Sequence, residues 1–332
     1  MISLGIIGPG LIWEHTHRDI IAGLRDTFAV RAVAARSRVN QDRGRGAYPE
    51  ANIYGDADEL IADPAVEAVV ILTPIALNAP TAHKALEAGK HAVVEKPVAR
   101  SRSEARALAE RAKTAPGVLY ILEQHVHKGM IAAVRSHIDA GEIGEVVSFE
   151  RSLHVRIAET NDQTGGYGKT SWRIEPDYPL GNFFDGGIHE IALMQELFGP
   201  AEAIYGRGRS LREGFGEVDL LSMVVEYPGG IQGTFSHSAS LGRQGNSFVI
   251  HGTTGALECT DRAITRIDAA NGETAVHTVE PKNESVTMWE EVGRVLADRR
   301  PGRYTPEKAQ NDVALMDALQ ASLRDGRRVA IR

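Results

Sequence analysis

The sequence predicts two domains, a doubly wound α/β domain with a parallel sheet and an α+β domain on an open antiparallel or mixed sheet. Three observations carry this. Short apolar runs alternate with helical stretches from residue 2 to residue 122, the pattern of successive βαβ units. After Gly144 the β-type runs lengthen and little helix separates them, as in a fold whose helices are segregated from its strands. The chain has 332 residues, more than one hydrophobic core usually serves. The division is placed between residues 1–123 and residues 124–332.

The first strand covers residues 2–7, an apolar run of the kind buried on both faces of a parallel sheet. It enters Gly8-Pro9-Gly10-Leu11-Ile12-Trp13, and a helix follows to about Leu24. Two glycines permit a tight turn, and they let a pyrophosphate approach the helix N-terminus, which Leu11 and Ile12 open. The dinucleotide-binding pattern has Gly or Ala where Trp13 stands, so the tryptophan must point aside from the helix–strand contact. A second strand, Ala29–Ala35, ends in Arg36-Ser37-Arg38. An acid at this strand end holds a ribose 2′-hydroxyl. Here two guanidiniums and a hydroxyl suit a 2′-phosphate, because Arg donates to phosphate in a charge-assisted fork.

A helix is expected over about Val39–Ala47, a short strand at Ile53-Tyr54, and a helix capped by Asp56. The strand Val69–Leu72 runs into Thr73-Pro74 and a helix, and the strand His91–Val94 ends on Glu95-Lys96-Pro97. Ligands of parallel sheets bind beyond the carboxyl ends of the strands, which is where Lys96 stands. Pro97 stiffens the turn that aims it. Ser101 or Ser103, with Glu104, opens a further helix, and Val118–Leu122 is the last strand of this domain. Beyond it, a helix is expected at about Lys128–Asp139 and strands at Val146–Val155, Asp219–Tyr227, Ile231–Ser238 and Phe248–His251. Residues 158–170 read as a loop, and helices are expected over about Phe183–Phe198, Glu284–Asp298 and Pro306–Arg324. Such a sheet leaves an apolar face uncovered in one subunit, so a homodimer or homotetramer through that face is expected.

Composition narrows the function classes. A hydrophobic content of 42% and a charged content of 24% are those of a soluble globular protein. A formal net charge of −7 repels phosphate backbones and anionic bilayers, so nucleic acid and membrane are not expected as partners. One cysteine, Cys259, allows neither an intrachain disulfide nor a cysteine zinc cluster, which fits a reducing compartment. The first residues lack a charged signal-peptide start, and no apolar run approaches the ~20 residues needed to cross a bilayer. The expected location is the cytoplasm.

Several motifs together carry a resemblance. They are the glycine turn at residues 8–10, Thr73-Pro74, and the run Ala85-Leu86-Glu87-Ala88-Gly89-Lys90-His91 followed by Glu95-Lys96-Pro97. Ser171-Trp172-Arg173 and Asp185-Gly186-Gly187-Ile188-His189 continue the series. The chain resembles the Gfo/Idh/MocA oxidoreductases, the glucose–fructose oxidoreductase and inositol dehydrogenase family. The resemblance implies a Rossmann domain followed by an α+β domain with a large, predominantly antiparallel open sheet that often makes oligomer contacts. It implies an NAD(P)-dependent enzyme acting on CH–OH groups of a sugar or polyol. It places Lys96, Asp185 and His189 around the substrate as the catalytic groups, and the chemistry agrees. Oxidising an alcohol sends a hydride to the nicotinamide and needs a base for the hydroxyl proton, for which histidine and a desolvated lysine are suited. If the segment is helical, Asp185 and His189 share a face, and the aspartate orients the imidazole or binds a sugar hydroxyl.

With that resemblance, the cofactor-binding candidates are Gly8, Gly10, Leu11, Ile12, Arg36, Ser37, Arg38, Thr73, Pro74, Asn78, Glu95 and Lys96. The substrate-binding candidates are Lys96, His125, Trp172, Arg173, Asp185 and His189. NADP is the expected cofactor, ahead of NAD. The chain departs from the family pattern at Trp13, at Asn78 where a histidine is common, at Val126 where an arginine is usual, and at Ala192 where an acid often stands. His15 and His17, like His125 and His127, are spaced by two, which puts each pair on different faces of a helix and on one face of a strand. No third ligand lies near either pair in sequence, so no metal site is expected. His125, His127 and His154 read as cleft-lining groups, and Trp172 as either a sugar-stacking or a core residue. Two other functions fit the same motifs: a dinucleotide-binding sensor without turnover, and a cofactor-recycling sugar-converting enzyme.

Overall fold

The computed structural model describes residues 1–156, 170–174, 176–212, 216–242 and 245–331. The loop expected at 158–170 lies outside the described residues apart from Thr170. The chain forms two compact units, Met1–Gln124 with Ser285–Val313, and His125–Glu284 with Ala314–Arg332. The single crossing between domains expected from sequence is therefore not what is seen, because residues 285–313 return to the first unit.

In the first unit six strands are all parallel, in the order β3-β2-β1-β4-β5-β6. They are β1 (Ile2–Ile7), β2 (Phe28–Ala34), β3 (Asn52–Tyr54), β4 (Ala68–Ile71), β5 (His91–Glu95) and β6 (Leu119–Leu122). The order reverses at β1, so the carboxyl ends of β1 and β4 flank the topological switch point where such sheets bind ligands. The helices are α1 (Arg18–Gly23), α2 (Arg38–Ala47), α3 (Ala57–Ala62), α4 (Ile75–Glu87) and α5 (Arg102–Thr114). Their starts follow local chemistry. Ser37, Asp56 and Ser101 each accept a hydrogen bond from a first-turn backbone N–H, at Asn40, Asp58 and Glu104.

Two long helices lie near the end of the chain, and the earlier of them explains the returning segment. α9 (Glu284–Asp298) buries Met288, Trp289, Val292, Val295 and Leu296 in the core that also holds Leu4, Ile6, Ile21 and Phe28. Tyr120 donates to Glu291 at 2.7 Å and anchors the same helix by a polar contact. An amphipathic helix with its own apolar stripe is free in sequence to serve either domain, and here that stripe completes the core of the first.

The second unit is a nine-stranded sheet, ordered β14-β13-β12-β11-β7-β10-β9-β8-β15. β7 (Val146–His154) and β10 (Gln232–Ser238) run parallel; every other neighbouring pair is antiparallel. β9 (Leu220–Glu226) and β11 (Ser247–Gly252) match expected strands. β8 (Ala203–Arg209), β12 (Gly255–Cys259), β13 (Ala263–Asp268), β14 (Thr274–Thr278) and β15 (Val329–Ala330) do not, being short, glycine-interrupted or polar. One face is covered by α6 (Gly129–Asp139), α8 (Ile188–Phe198) and part of α10 (Pro306–Asp325), and the four-residue α7 (Ser171–Ile174) precedes α8 in the chain. Phe149 of β7 stacks on Phe198 of α8 at 4.6 Å, and Leu319 of α10 packs against Gly206 of β8. The other face is exposed at Glu150, Ser222, Val224 and Thr234. The expected apolar open face is therefore largely hydroxylic and charged, since polar residues occupy most outward positions of the alternation.

Candidate functional site

The glycine turn is built as its sequence requires. Gly8 has φ of +78°, and a Cβ there would stand 2.8 Å from the Leu72 carbonyl oxygen, so no side chain fits. A Cβ on Gly10 would meet nothing closer than 3.8 Å, which leaves the side of the turn open to a ligand. The backbone then makes a π-helical turn over Trp13–His17 before α1. This wider turn accommodates the tryptophan that departs from the fingerprint. Trp13, expected to point aside, packs into the core with Leu4 and Ile6 of β1 and Ile21 of α1, where it is 1% exposed and meets Tyr48 edge to face. Of the residues after β2, Ser37 uses its hydroxyl oxygen to cap α2, Arg38 leans toward Asp42 at 3.5 Å, and Arg36 is exposed.

Lys96 follows the carboxyl end of β5, and two clamps hold its backbone. Asn78, fully buried in α4, donates from its amide nitrogen to the carbonyls of Glu95 and Pro97 at 3.0 and 2.9 Å. Its carbonyl accepts from the Thr73 hydroxyl at 2.8 Å. The Glu95 carboxylate accepts from the Lys96 N–H at 3.0 Å and from His17 Nε2 at 2.8 Å. The Lys96–Pro97 peptide bond is cis. Asn78 and Glu95, expected to contact a cofactor, are thus both committed to the turn that carries Lys96. Their burial and short polar spans explain the difference. Asn78 reaches two main-chain carbonyls that a histidine in its place would not satisfy together.

In the second unit Asp185 lies on a π-helical turn, Phe183–Gly187, which leads into α8. Gly187 allows that turn, because a Cβ there would stand 2.3 Å from the Phe183 ring. Asp185 is 8% exposed and accepts from Arg173 Nε at 2.6 Å. The same guanidinium lies over the face of Trp172 at 3.9 Å, so Arg173 already stacks on one side of that indole. His189 stacks on His125, with ring centroids 4.3 Å apart. The structure thus joins Asp185 with Arg173, and His189 with His125, a stack that the sequence, which offered Asp185 as the partner of His189, did not suggest.

Beside that stack is a buried ion pair that sequence reading missed. Glu190 accepts from Arg151 Nε at 2.7 Å and has His125 Nδ1 at 3.8 Å. Burial opposes its charge, but Arg151, His125 and Lys128 hold its carboxyl below the ordinary value. His237, on β10 and against Phe183, is pushed down to about 4 by burial. His154 hydrogen-bonds Ser236 at 3.1 Å. A separate group, His137, Glu142 and His277, brings three ligand-type atoms within 4.8 Å of one another. The Arg266 guanidinium stands 3.8 Å from the Glu142 oxygen that His137 also engages, so positive charge is already supplied there.

A parallel sheet with a glycine turn at its first strand end and a held lysine after its fifth defines a dinucleotide-binding protein of the oxidoreductase class. Comparison with known proteins settles the family. Residues 2–122 match the model described as "Oxidoreductase family, NAD-binding Rossmann fold", and residues 131–258 match "GFO/IDH/MocA C-terminal domain". The chain belongs to the Gfo/Idh/MocA family of oxidoreductases. An uncharacterized protein of Saccharomyces cerevisiae is 28% identical over 244 residues, 73% of this chain and 68% of its own length. Two uncharacterized oxidoreductases of Schizosaccharomyces pombe are matched over only 61% and 56% of their lengths. The scyllo-inositol 2-dehydrogenase (NADP(+)) of Bacillus subtilis is 24% identical over 76% of this chain and 66% of its own. Among solved structures, an oxidoreductase from Thermotoga maritima superposes with a TM-score of 0.91 at 27% identity, covering 99% of this chain and 98% of that one. Levoglucosan dehydrogenase, solved with NADH and L-sorbose, shares the fold at a TM-score of 0.86 and 19% identity over 100% of this chain and 99% of its own. Among the described residues no helix is long and apolar enough to cross a membrane.

Proposed function

We propose that this protein is an NADP-preferring dehydrogenase or reductase that moves a hydride between nicotinamide and a carbinol carbon of a sugar or polyol. The observation that carries this reading is the double clamp on Lys96. Main-chain bonds from Asn78 and Glu95 fix the residues around a lysine at a ligand-binding strand end, which is the preorganisation a proton-transfer group needs. The residues fit a dinucleotide. Gly8 and Gly10 leave room for a pyrophosphate at the N–H groups of Leu11 and Ile12, and Arg36 and Arg38 would face a 2′-phosphate. Thr73 and Pro74 follow β4 beside the same switch point. When bound, the nicotinamide supplies the hydride acceptor or donor.

On this reading Lys96 gives or takes the hydroxyl proton, His189 shares that task, and Asp185 fixes a substrate hydroxyl with Arg173. His125 and Trp172 shape the sugar pocket. The scyllo-inositol and levoglucosan dehydrogenases among the relatives favour a polyhydroxylated ring as substrate. The protein assembles as a homo-oligomer through the exposed sheet face, and its polar character favours a hydrogen-bonded, wet interface. The test is a panel of inositols, aldoses, ketoses and anhydrosugars with NADP and NAD in both directions, followed by nicotinamide absorbance. NADP-dependent turnover of a ring polyol supports the reading. Dinucleotide binding with no turnover across the panel favours a sensor, and a tightly co-purifying dinucleotide favours a cofactor-recycling enzyme.

A further inference from the structure

We infer that Trp289, His17 and Glu95 form a hydrogen-bonded chain that aims Lys96, which makes His17 and Trp289 positioning residues for the proposed reaction. For the reaction itself the inference rests on the function proposed above; for the chain it rests on geometry alone. Trp289 Nε1 lies 2.9 Å from His17 Nδ1. An indole nitrogen only donates, so Nδ1 must present a lone pair. The ring proton therefore sits on Nε2, which donates to Glu95 Oε1 at 2.8 Å. The other Glu95 oxygen accepts from the backbone N–H of Lys96 at 3.0 Å. The tryptophan and the carboxylate thus select the same imidazole tautomer, the imidazole orients the carboxylate, and the carboxylate holds the lysine's own main chain.

Burial shows that this chain is dry. Trp289 is 0% exposed, His17 1% and Glu95 6%. A buried carboxylate is costly unless each oxygen is partnered, and here both are. An apolar trio of similar volume would fill the same space at lower desolvation cost. What the polar trio adds is direction, and it is directed at the residue after β5. The π-helical turn contributes by bringing both Trp13 and His17 inside while His15 stays exposed. α9 contributes by returning from a position 272 residues later in the chain to supply the donor.

The test compares the intact protein with His17→Gln, His17→Leu and Trp289→Phe. A glutamine amide offers an acceptor and a donor at nearly the spacing of the two ring nitrogens; leucine offers neither. The substrate-free readout is hydrogen exchange. The Lys96 amide should exchange about tenfold faster or more in His17→Leu, with Val93 and Val94 of the same strand unchanged. His17→Gln should restore slow exchange. Nitrogen-15 spectra of the histidine rings should show His17 as the Nε2–H tautomer with Nδ1 shifted as a hydrogen-bond acceptor, a shift that Trp289→Phe removes. On a substrate found by the panel, His17→Leu should lower kcat by about tenfold to a hundredfold with the KM for NADPH within about twofold, and glutamine should recover most of the loss.

A proton on Nδ1 in the unmodified protein overturns the inference. So does unchanged Lys96 exchange in a folded His17→Leu variant, or a folded His17→Gln variant as impaired as leucine. If leucine prevents folding, the loss of the Nδ1 acceptor shift in Trp289→Phe and the exchange in His17→Gln decide the matter. If the unmodified protein turns over no polyol, the proposed function fails, and the exchange and tautomer results still judge the chain.

Discussion

His125 and His189 stack ring on ring, their centroids 4.3 Å apart and their planes inclined by 27°. Neither residue's neighbours in sequence announce this, because 64 positions separate them. The stack restricts the tilt of His189, and the Glu190 carboxylate stands 3.8 Å from His125, so His125 is the ring tied to Glu190. His125→Ala should therefore lower kcat by about tenfold to a hundredfold, while His125→Phe, which keeps the stack, should retain more activity. Steady-state rates on a panel substrate check this. Equal loss in both variants would mean that His125 acts through its nitrogens and not through stacking.

Acid sensitivity should trace to His237. Burial pushes it down to about 4, with Arg151 and His154 also opposing its charge and Glu190 favouring it. In the unfolded chain a histidine titrates near 6.5. Between those values the unfolded state binds more protons, so stability is complete above about pH 6.5 and falls as pH drops toward 4. The loss is on the order of 3 kcal/mol. Urea unfolding at several pH values measures it, and His237→Phe should flatten that range. Glu190 acts lower. Its folded value is depressed, so its contribution is present above the unfolded carboxylate value of about 4.3 and is lost as pH falls through the folded one.

Much of the first unit was legible because its physics is local. Apolar runs with Gly, Pro and Ser punctuation located all six parallel strands within a residue or two, and Asp56 and Ser101 do cap helices, while the cap that Ser37 makes was not foreseen. Lys96 was legible because a strand end and a proline bracket it. The role of Asn78 was not, since a buried amide bridging two carbonyls leaves no pattern in spacing. His17 was visible only as a partner of His15, because a period of two cannot reveal a π-helical turn. Trp289 gave no signal at all, as nothing local shows which domain an amphipathic helix completes. In the second unit, β12 to β14 were missed because they are short and carry polar or glycine positions that interrupt the apolar alternation, and β14 lies at the sheet edge.

Cofactor choice should depend mainly on Arg36. Ser37 already caps α2, and Arg38 has Asp42 beside it, whereas Arg36 is exposed directly after β2. Arg36→Ala should weaken NADPH binding by about ten- to a hundredfold, the worth of a charge-assisted contact, and leave NADH binding unchanged. Fluorescence titration of both cofactors measures this. Equal affinities for the two in the unmodified protein would refute NADP preference itself. Ser37→Ala should show a different phenotype, a loss of about 1 kcal/mol of stability from the missing cap.

Assembly is open to a direct measurement. The exposed sheet face presents Glu150, Ser222, Val224 and Thr234, so an interface there relies on hydrogen bonds and bridging water more than on apolar area. Light scattering at micromolar concentration should give a dimer or tetramer. Val224→Arg, which puts a charge at the exposed apolar position of β9, should shift it toward monomer. A monomeric unmodified protein would remove the sheet face from consideration as a self-contact.

Lys96 provides the sharpest test of the proposed chemistry. Its main chain is held by Glu95 and flanked by carbonyls that Asn78 grips, so replacing the side chain leaves the turn in place. Lys96→Met keeps the length and apolar stem of the side chain and removes only the amine. Turnover should fall by about 10²–10⁴-fold, the usual worth of general acid–base assistance. NADP(H) affinity should stay close to that of the unmodified protein, with a slight shift toward the oxidised cofactor as a positive charge near the nicotinamide is lost. His189→Ala should slow the reaction less if the lysine is the main proton donor and acceptor. The measurement is the steady-state rate beside the NADP(H) dissociation constant for each variant. If Lys96→Met keeps most of its rate, the clamps on residues 95–97 serve the fold and not the reaction. If rate and cofactor affinity fall together, Lys96 holds the dinucleotide, and His189 becomes the group that moves the proton.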